Sequence, residues 1–323
     1  MPHTLLEYAK QVEDMKSRAV IELFPEMSDV LGVLPFKSAP GGRYGYFREG
    51  ALPTNMAFRG INEVPTEGHG VINDFTEQCF PMAGNINVDR VKINRYGMER
   101  RAMEERLSIK AKAKLWTDTL FNGDNASQPR EFTGLRARLR AVGSGVTSVD
   151  GSNYESRLVA NSVASGGAAL SLSMLDIAIG LVENPTHIVM TKKLKDRLPA
   201  AVRDAGVGGI YTNDKNDMGH NVPMYNGIPL LTGYGITALG AFLPFTEVAY
   251  GGGSAVCTSI YILSVGEMGV CGLETSPMEV KDMGLLENGV HYRTNIEHDS
   301  GLCIESPYAA LRLTSVADAA IVK

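Results

Sequence analysis

A chain of 323 residues and 34.8 kDa, 44% hydrophobic and 21% charged, carries enough apolar material for a large core and passes the length at which single cores divide, which predicts two lobes. The net charge of −5 excludes wrapping nucleic acid by bulk attraction, and the lack of any run of 18 apolar residues gives no membrane-spanning helix. The N-terminus has no basic start, apolar run and small-residue cleavage site, so a soluble cytoplasmic protein is expected, and Cys79, Cys257, Cys271 and Cys303, widely spaced, are expected as buried hydrophobes rather than as a disulfide framework or zinc site.

Thr4 and Glu7 form a capping box ahead of Leu5, Tyr8, Ala9, Val12 and Met15, which predicts a short amphipathic helix. Residues 20–34, with Pro25, Gly32 and Pro35, read as an extended arm lying on another surface. Residues 36–94 are strand and turn material punctuated by glycine, too poor in apolar residues to build a core, and they predict a projecting hairpin that leans on a neighbouring subunit. Ile86, Val88, Val91 and Ile93 suggest strand alternation interrupted at Asp89-Arg90.

Residues 96–121, YGMERRAMEERLSIKAKAKLWTDTLF, form the most regular stretch of the chain. Met98, Ala102, Leu107, Ala111, Leu115, Trp116 and Leu120 recur at helical spacing, and about 26 residues at 1.5 Å rise make a spine of roughly 39 Å. Arg100/Glu104 and Arg101/Glu105 stand at i,i+4, and Asn122-Gly123 ends the helix. Residues 89–140 hold 13 Lys+Arg against 7 Asp+Glu, a local +6 that leaves −11 for the rest and could draw copies of one chain together.

Residues 143–153 are a turn-rich connector and a candidate lobe boundary. Residues 168–182 predict a buried helix with Asp176 its only charge, residues 186–190 a strand, and Thr191 caps a helix that Pro199 should kink or end. Residues 206–227 read as a loop, followed mostly by strands, with His298-Asp299-Ser300-Gly301 a hairpin turn. Strands on either side of a long helix indicate an α+β arrangement.

No chemistry surfaces. The chain lacks a phosphate-binding Gly-Lys loop and a GxSxG elbow, and Gly233-Tyr-Gly235 is not followed by a helix pattern. The six histidines show no metal-ligand spacing, and His291, Glu297 and His298, the one local cluster, would face opposite sides of a strand. No catalytic, cofactor-binding or metal site is expected, and the chain is not expected to be an enzyme.

REGALPTNMAFRGINE (residues 48–63), GNINVDRVKI (84–93), PREFTGL (129–135) and the closing YRTNIEHDSGLCIESPYAALRLTSV (292–316), in that order, resemble a tailed-phage major capsid protein of the HK97-like fold. The resemblance implies an N-terminal arm (1–34), an E-loop (35–80), a P domain with the spine helix (81–142), an A domain (143–289) and C-terminal strands returning to the P domain (290–323). It implies a homo-oligomer of hexamers and pentamers that closes into an icosahedral head around double-stranded DNA, with only weak nonspecific DNA contact and no membrane. A separate scaffolding protein, a portal and a decoration protein would be its partners, with assembly in the bacterial host cytoplasm and a final place in the virion. Arg43, Arg48, Arg59, Glu63 and Glu67 on the ribbon would then meet Arg100, Arg101, Glu104 or Glu105 of an adjacent subunit. Lys37, at the start of the ribbon instead of near its tip, is not assigned the Lys–Asn cross-link of some members. An encapsulin-type compartment is the alternative within the fold, and a soluble oligomeric enzyme the alternative from another class.

Overall fold

Residues 5–33 fold mostly as helices that lie on the chain's own core. A computed structural model describes residues 3–140, 157–204, 206, 210–215, 221–234 and 240–322. Helix α1 (Leu5–Ala9) opens on the capping box, with the Thr4 and Glu7 side chains each accepting from the other's backbone N–H. The stretch expected to be an extended arm is instead α2 (Met15–Glu26), capped by Asp14, and α3 (Asp29–Val33). Val20, Ile21, Phe24, Met27, Leu31 and Leu34 follow helical spacing and are buried. Pro25 costs little because only one helical residue follows it.

Strand β1 (Phe36–Ser38) leads into a two-stranded ribbon, β2 (Arg43–Ala51) and β3 (Val71–Gln78), paired from Arg43↔Gln78 to Ala51↔Val71. Strand β4 (Phe80–Asp89) follows, and Asp89, accepting from the Val91 N–H at 2.7 Å, caps α4 (Arg90–Tyr96). Val91 and Ile93 therefore belong to a helix, not to the strand alternation expected of them. Gly97, at φ 79°, separates α4 from α5 (Met98–Asn122), a backbone conformation that a side chain would strain. Helix α6 (Leu135–Arg138) closes this half, and the connector expected at residues 143–153 lies outside the described residues.

The second half supplies β5 (Leu158–Ala160), α7 (Leu172–Gly180), β6 (His187–Val189), α8 (Lys192–Asp204), β7 (Tyr211–Lys215), β8 (Asn221–Tyr225) and β9 (Ile228–Leu231). Then come β10 (Glu247–Val248), β11 (Ala255–Leu263), β12 (Val270–Leu285), β13 (His291–Ile304) and β14 (Ala310–Ala317). The expected loop at 206–227 contains the β7/β8 hairpin. The expected turn at residues 298–301 lies inside β13, where each of these residues pairs with a neighbouring strand.

Two sheets result. One runs β1-β12-β13-β4, and the other runs β5-β14-β11-β6-β9-β8-β7 with β10 on β11. Strand β12 thus leaves the 143–289 segment to pair with β13, and β14, expected to return to the spine-helix lobe, pairs with β11 and β5 instead. Ladder pairing overrides sequence order here. Apolar side chains gather mainly in two clusters, one under α5 and the first sheet, the other among α7, α8 and the second sheet. Strand β11 serves both, because alternation sends Tyr261 and Leu263 to the first cluster and Ile260 and Ile262 to the second.

Candidate assembly interface

The ribbon has a fastened root and a bare tip. At the root, Tyr44, Tyr46 and Arg48 share one face by period-2 alternation and turn toward the end of β13. The Arg48 guanidinium is buried and donates to the carbonyls of Glu305 (2.8 Å) and Ile304 and to the Tyr46 hydroxyl (3.0 Å). It also covers the ring faces of Tyr46 and Phe75, its centre 4.5 Å from the Phe75 centroid. Glu305 accepts from Lys37 Nζ at 2.5 Å and from the Tyr44 hydroxyl at 2.7 Å. Burial opposes the Lys37 charge, but the hydrogen bond to Glu305 and its carboxylate field outweigh it and raise the lysine pKa. A lysine held this way is no free nucleophile. Arg138, buried, grips Glu77 through both guanidinium nitrogens, one contact at 2.7 Å, and donates to the Leu302 carbonyl at 3.2 Å.

Beyond Ala51 the pattern reverses. Phe58 is 109% exposed, Ile61 94% and Val64 91%, and Leu52 and Met56 beside them are also bare. The tip keeps a local shape: Asn55 Nδ2 donates to the Thr66 carbonyl (2.9 Å), Arg59 to the Glu63 carbonyl (3.0 Å), and the Gly60 N–H to the Glu63 carboxylate (2.6 Å). A loop with internal hydrogen bonds that presents five large apolar side chains to water is the mark of an interaction surface.

Helix α5 carries a second bare apolar line, Met103, Leu107, Ala111 and Leu115 at i,i+4 spacing, all exposed. Met98 and Ala102 at the start of the helix are exposed as well, whereas Arg101, Ile109, Ala113, Trp116 and Leu120 face inward. Of the expected core stripe only Trp116 and Leu120 point into the core. Trp116 Nε1 donates to Ser300 Oγ at 2.9 Å, which anchors the helix on β13. The inner face is completed by ions: Arg101 donates to Glu105 (3.0 Å), Asp282 (2.7 Å) and Thr294 Oγ1 (3.1 Å), and Thr294 in turn donates to Glu105 at 2.6 Å. Burial works against the Arg101 charge, but hydrogen bonding to Asp282 prevails and raises its pKa. At the α4/α5 bend an open cleft of about 570 Å³ is lined by Val91, Tyr96 and Met103 with Lys92, Arg95 and Arg100.

The nine charges expected between subunits therefore separate. Arg48, Arg101 and Glu105 turn inward and bond within their own chain, because each sits on the side of its strand or helix that meets the first sheet. Glu104 is shared by Lys92 (3.2 Å) and Arg100 (3.1 Å) at the surface, and Arg43, Arg59, Glu63 and Glu67 remain exposed. The Arg138–Glu77 clamp escaped sequence reading, since 61 positions separate the partners. So did the environment of His298, which is buried with its Nε2 3.6 Å from Glu274, whose other oxygen lies 3.1 Å from His3 Nε2. Among the described residues no group of three or more His, Cys, Asp or Glu could hold a metal ion, and no described helix is long and apolar enough to cross a membrane.

No family model and no curated relative matches the sequence. In structure the chain is similar to the SrpI encapsulin of Synechococcus elongatus PCC 7942, at 15% identity, with 91% of this chain and 89% of that one covered and a TM-score of 0.60. It is similar to the capsid of the native GTA particle, at 14% identity, 89% and 90% coverage and a TM-score of 0.58. It is also similar to the capsid of cyanophage A-1(L), at 10% identity, 89% and 92% coverage and a TM-score of 0.59. Near-complete coverage in both directions shows that the chain has the α+β HK97-like fold.

Proposed function

We propose that this chain is the major capsid protein of a tailed bacteriophage, a structural subunit without a catalytic role. Its copies form hexamers and pentamers that close into an icosahedral shell around double-stranded DNA. The observation that carries this reading is the ribbon: in a chain of this fold, its tip holds Phe58, Ile61 and Val64 ordered and uncovered while its root is bonded to its own subunit. Burying each such side chain against another copy is worth about 1.5–3 kcal/mol. The outer line of α5 supplies an apolar surface for it, and the repeated contact is a heterologous one that closes by rotation.

In this reading the ribbon within residues 35–80 is the E-loop, α5 with the first sheet forms the P domain, and the second sheet forms the A domain. Arg43, Arg59, Glu63 and Glu67 on the ribbon, with Arg100 and Glu104 on α5, set the register between copies. The N-terminal helices, packed on their own subunit, are not assigned to a neighbour. A scaffolding protein, a portal and a decoration protein are the further partners, with assembly in the host cytoplasm and a final place in the virion. DNA contact is weak and nonspecific, since a subunit of net charge −5 neutralises few phosphates.

Electron microscopy of the purified protein tests the reading: uniform closed shells support it, and small discrete oligomers would return the chain to the enzyme class. The likeness to an encapsulin favours a second reading, a compartment that encloses protein cargo. Nuclease-protected DNA inside isolated particles selects the phage head, and a co-purifying enzyme selects the compartment.

A further inference from the structure

Three of the four cysteines belong to one small apolar cluster at the root of the ribbon. Cys271 on β12 and Cys303 on β13 lie directly opposite each other in a ladder that runs without irregularity from Val270↔Ile304 to Glu274↔Ser300. Both are buried free thiols, and Cys79 packs half-buried against their cluster, which also holds Tyr46 and Leu273. Directly opposed residues of an antiparallel pair have Cα atoms about 4.5–5.5 Å apart, inside the 4.4–6.8 Å range of a disulfide. Their Cβ atoms, about 4.5–5.5 Å apart, need to close by on the order of 1 Å.

We propose that Cys271 and Cys303 are a modification site, closing to an intrachain disulfide by exchange with a small disulfide such as oxidised glutathione when the chain enters oxidising surroundings. The half-buried Cys79 is the entry point. Its thiolate attacks the small disulfide and releases one thiolate; Cys303 attacks this mixed disulfide at the Cys79 sulfur and releases the second. Cys271 then attacks Cys303, forming the new S–S bond and returning Cys79 as a thiolate. Two protein thiols are oxidised, one small disulfide is reduced to two thiols, and the two protons given up by the protein end on them.

Burial pushes the Cys79 thiol up to about 11, and the neighbouring Cys271 thiol, with burial, pushes Cys303 up as well. Thiolate is therefore scarce at neutral pH and exchange is slow, so the reduced form persists in a reducing cytosol. The bond would staple the strands whose ends hold the ribbon: Cys303 immediately precedes Ile304 and Glu305, the acceptors of Arg48. The proposal does not depend on the shell reading and stands for any assembly state.

Incubating the full-length protein with oxidised glutathione, unfolding it and counting thiols tests the site. Two of the four thiols are expected to disappear, with a single linked peptide pair containing Cys271 and Cys303. Cys271→Ser and Cys303→Ser each abolish that loss, while Cys79→Ser reaches the same end state about ten-fold more slowly, since direct access to the buried pair is hindered. Four free thiols, a stable glutathione adduct, or a linkage through Cys79 or Cys257 overturns the proposal, and an unchanged rate in Cys79→Ser overturns its entry role. If the serine variants do not fold, the peptide map of the unsubstituted protein decides.

Discussion

The root and the tip of the ribbon are built from the same two strands and meet opposite fates. At the root every strong group finds its partner in the same chain: Arg48 on the carbonyls of Ile304 and Glu305, Arg138 on Glu77, Lys37 and Tyr44 on Glu305. At the tip Asn55, Arg59 and Gly60 donate to groups of the same loop and the apolar side chains point into water. The root closes on its own chain, and the tip leaves apolar side chains and exposed charges open. A root fastened in this way lowers the ordering cost of the contact the tip makes.

The largest effect tests the tip. Replacing Phe58, Ile61 and Val64 together by Ser removes about 5–9 kcal/mol of burial from each contact while leaving subunit stability within about 0.5 kcal/mol. Size-exclusion chromatography should then show folded subunits and no shells. The root responds the other way: Arg48→Ala strands two buried carbonyls and uncovers two rings, and should cost about 2–4 kcal/mol in urea unfolding. An Arg48→Ala subunit as stable as the parent would erase the distinction between the two ends.

The outer line of α5 behaves as tip, not as core. Leu107, 63% exposed, changed to Ser should weaken assembly about ten-fold or more without lowering the unfolding midpoint, whereas Ile109→Ala, on the inner face, should cost about 2–5 kcal/mol. Lys112 adds a pH test of that inner side. Burial lowers its pKa to about 8, and its ammonium donates to the Ile296 carbonyl at 2.6 Å. Between pH 8 and 10.5 the unfolded lysine holds a proton that the folded one has lost, so the lysine's contribution makes stability rise with pH across that window. Lys112→Met should flatten the rise, and parallel pH profiles of parent and variant would show that the lysine is solvated. The smallest effects belong to the exposed charges: reversing Arg59 or Glu104 singly should reduce shell yield by an amount consistent with about 0–1 kcal/mol per pair and sensitive to salt.

Several elements were legible because their causes are local. The Thr4/Glu7 box and the length of α5, with its stop near Asn122-Gly123, depend on neighbours in sequence. The inward face of α5 did not follow from its apolar pattern. A stripe read as core assumes that the inside is the apolar side, yet here the outside carries Met103, Leu107 and Leu115, and the inside begins with Arg101 and Glu105. Those two ions are tolerable indoors only because Asp282 and Thr294 arrive from 181 and 193 positions away. Helices α2 and α3 differ from the expected arm for another reason: the 3–4 spacing of Val20, Phe24, Met27, Leu31 and Leu34 outweighs the breaking tendency of Pro25 and Gly32.

By itself the sequence determined which segments could be helix, ribbon or strand, and that a Gly-Lys phosphate loop and a GxSxG elbow are lacking, since propensity, capping and motif spacing are properties of consecutive residues. The tertiary structure decided which side of each element is inside. That depends on partners brought from far along the chain: Ser300 for Trp116, Glu305 for Lys37 and Tyr44, and Cys303 for Cys271. Six of the nine charges expected between subunits stay at the surface and three turn inward, and a charge on a strand or helix looks the same in sequence whether its pair waits across a sheet or on another copy.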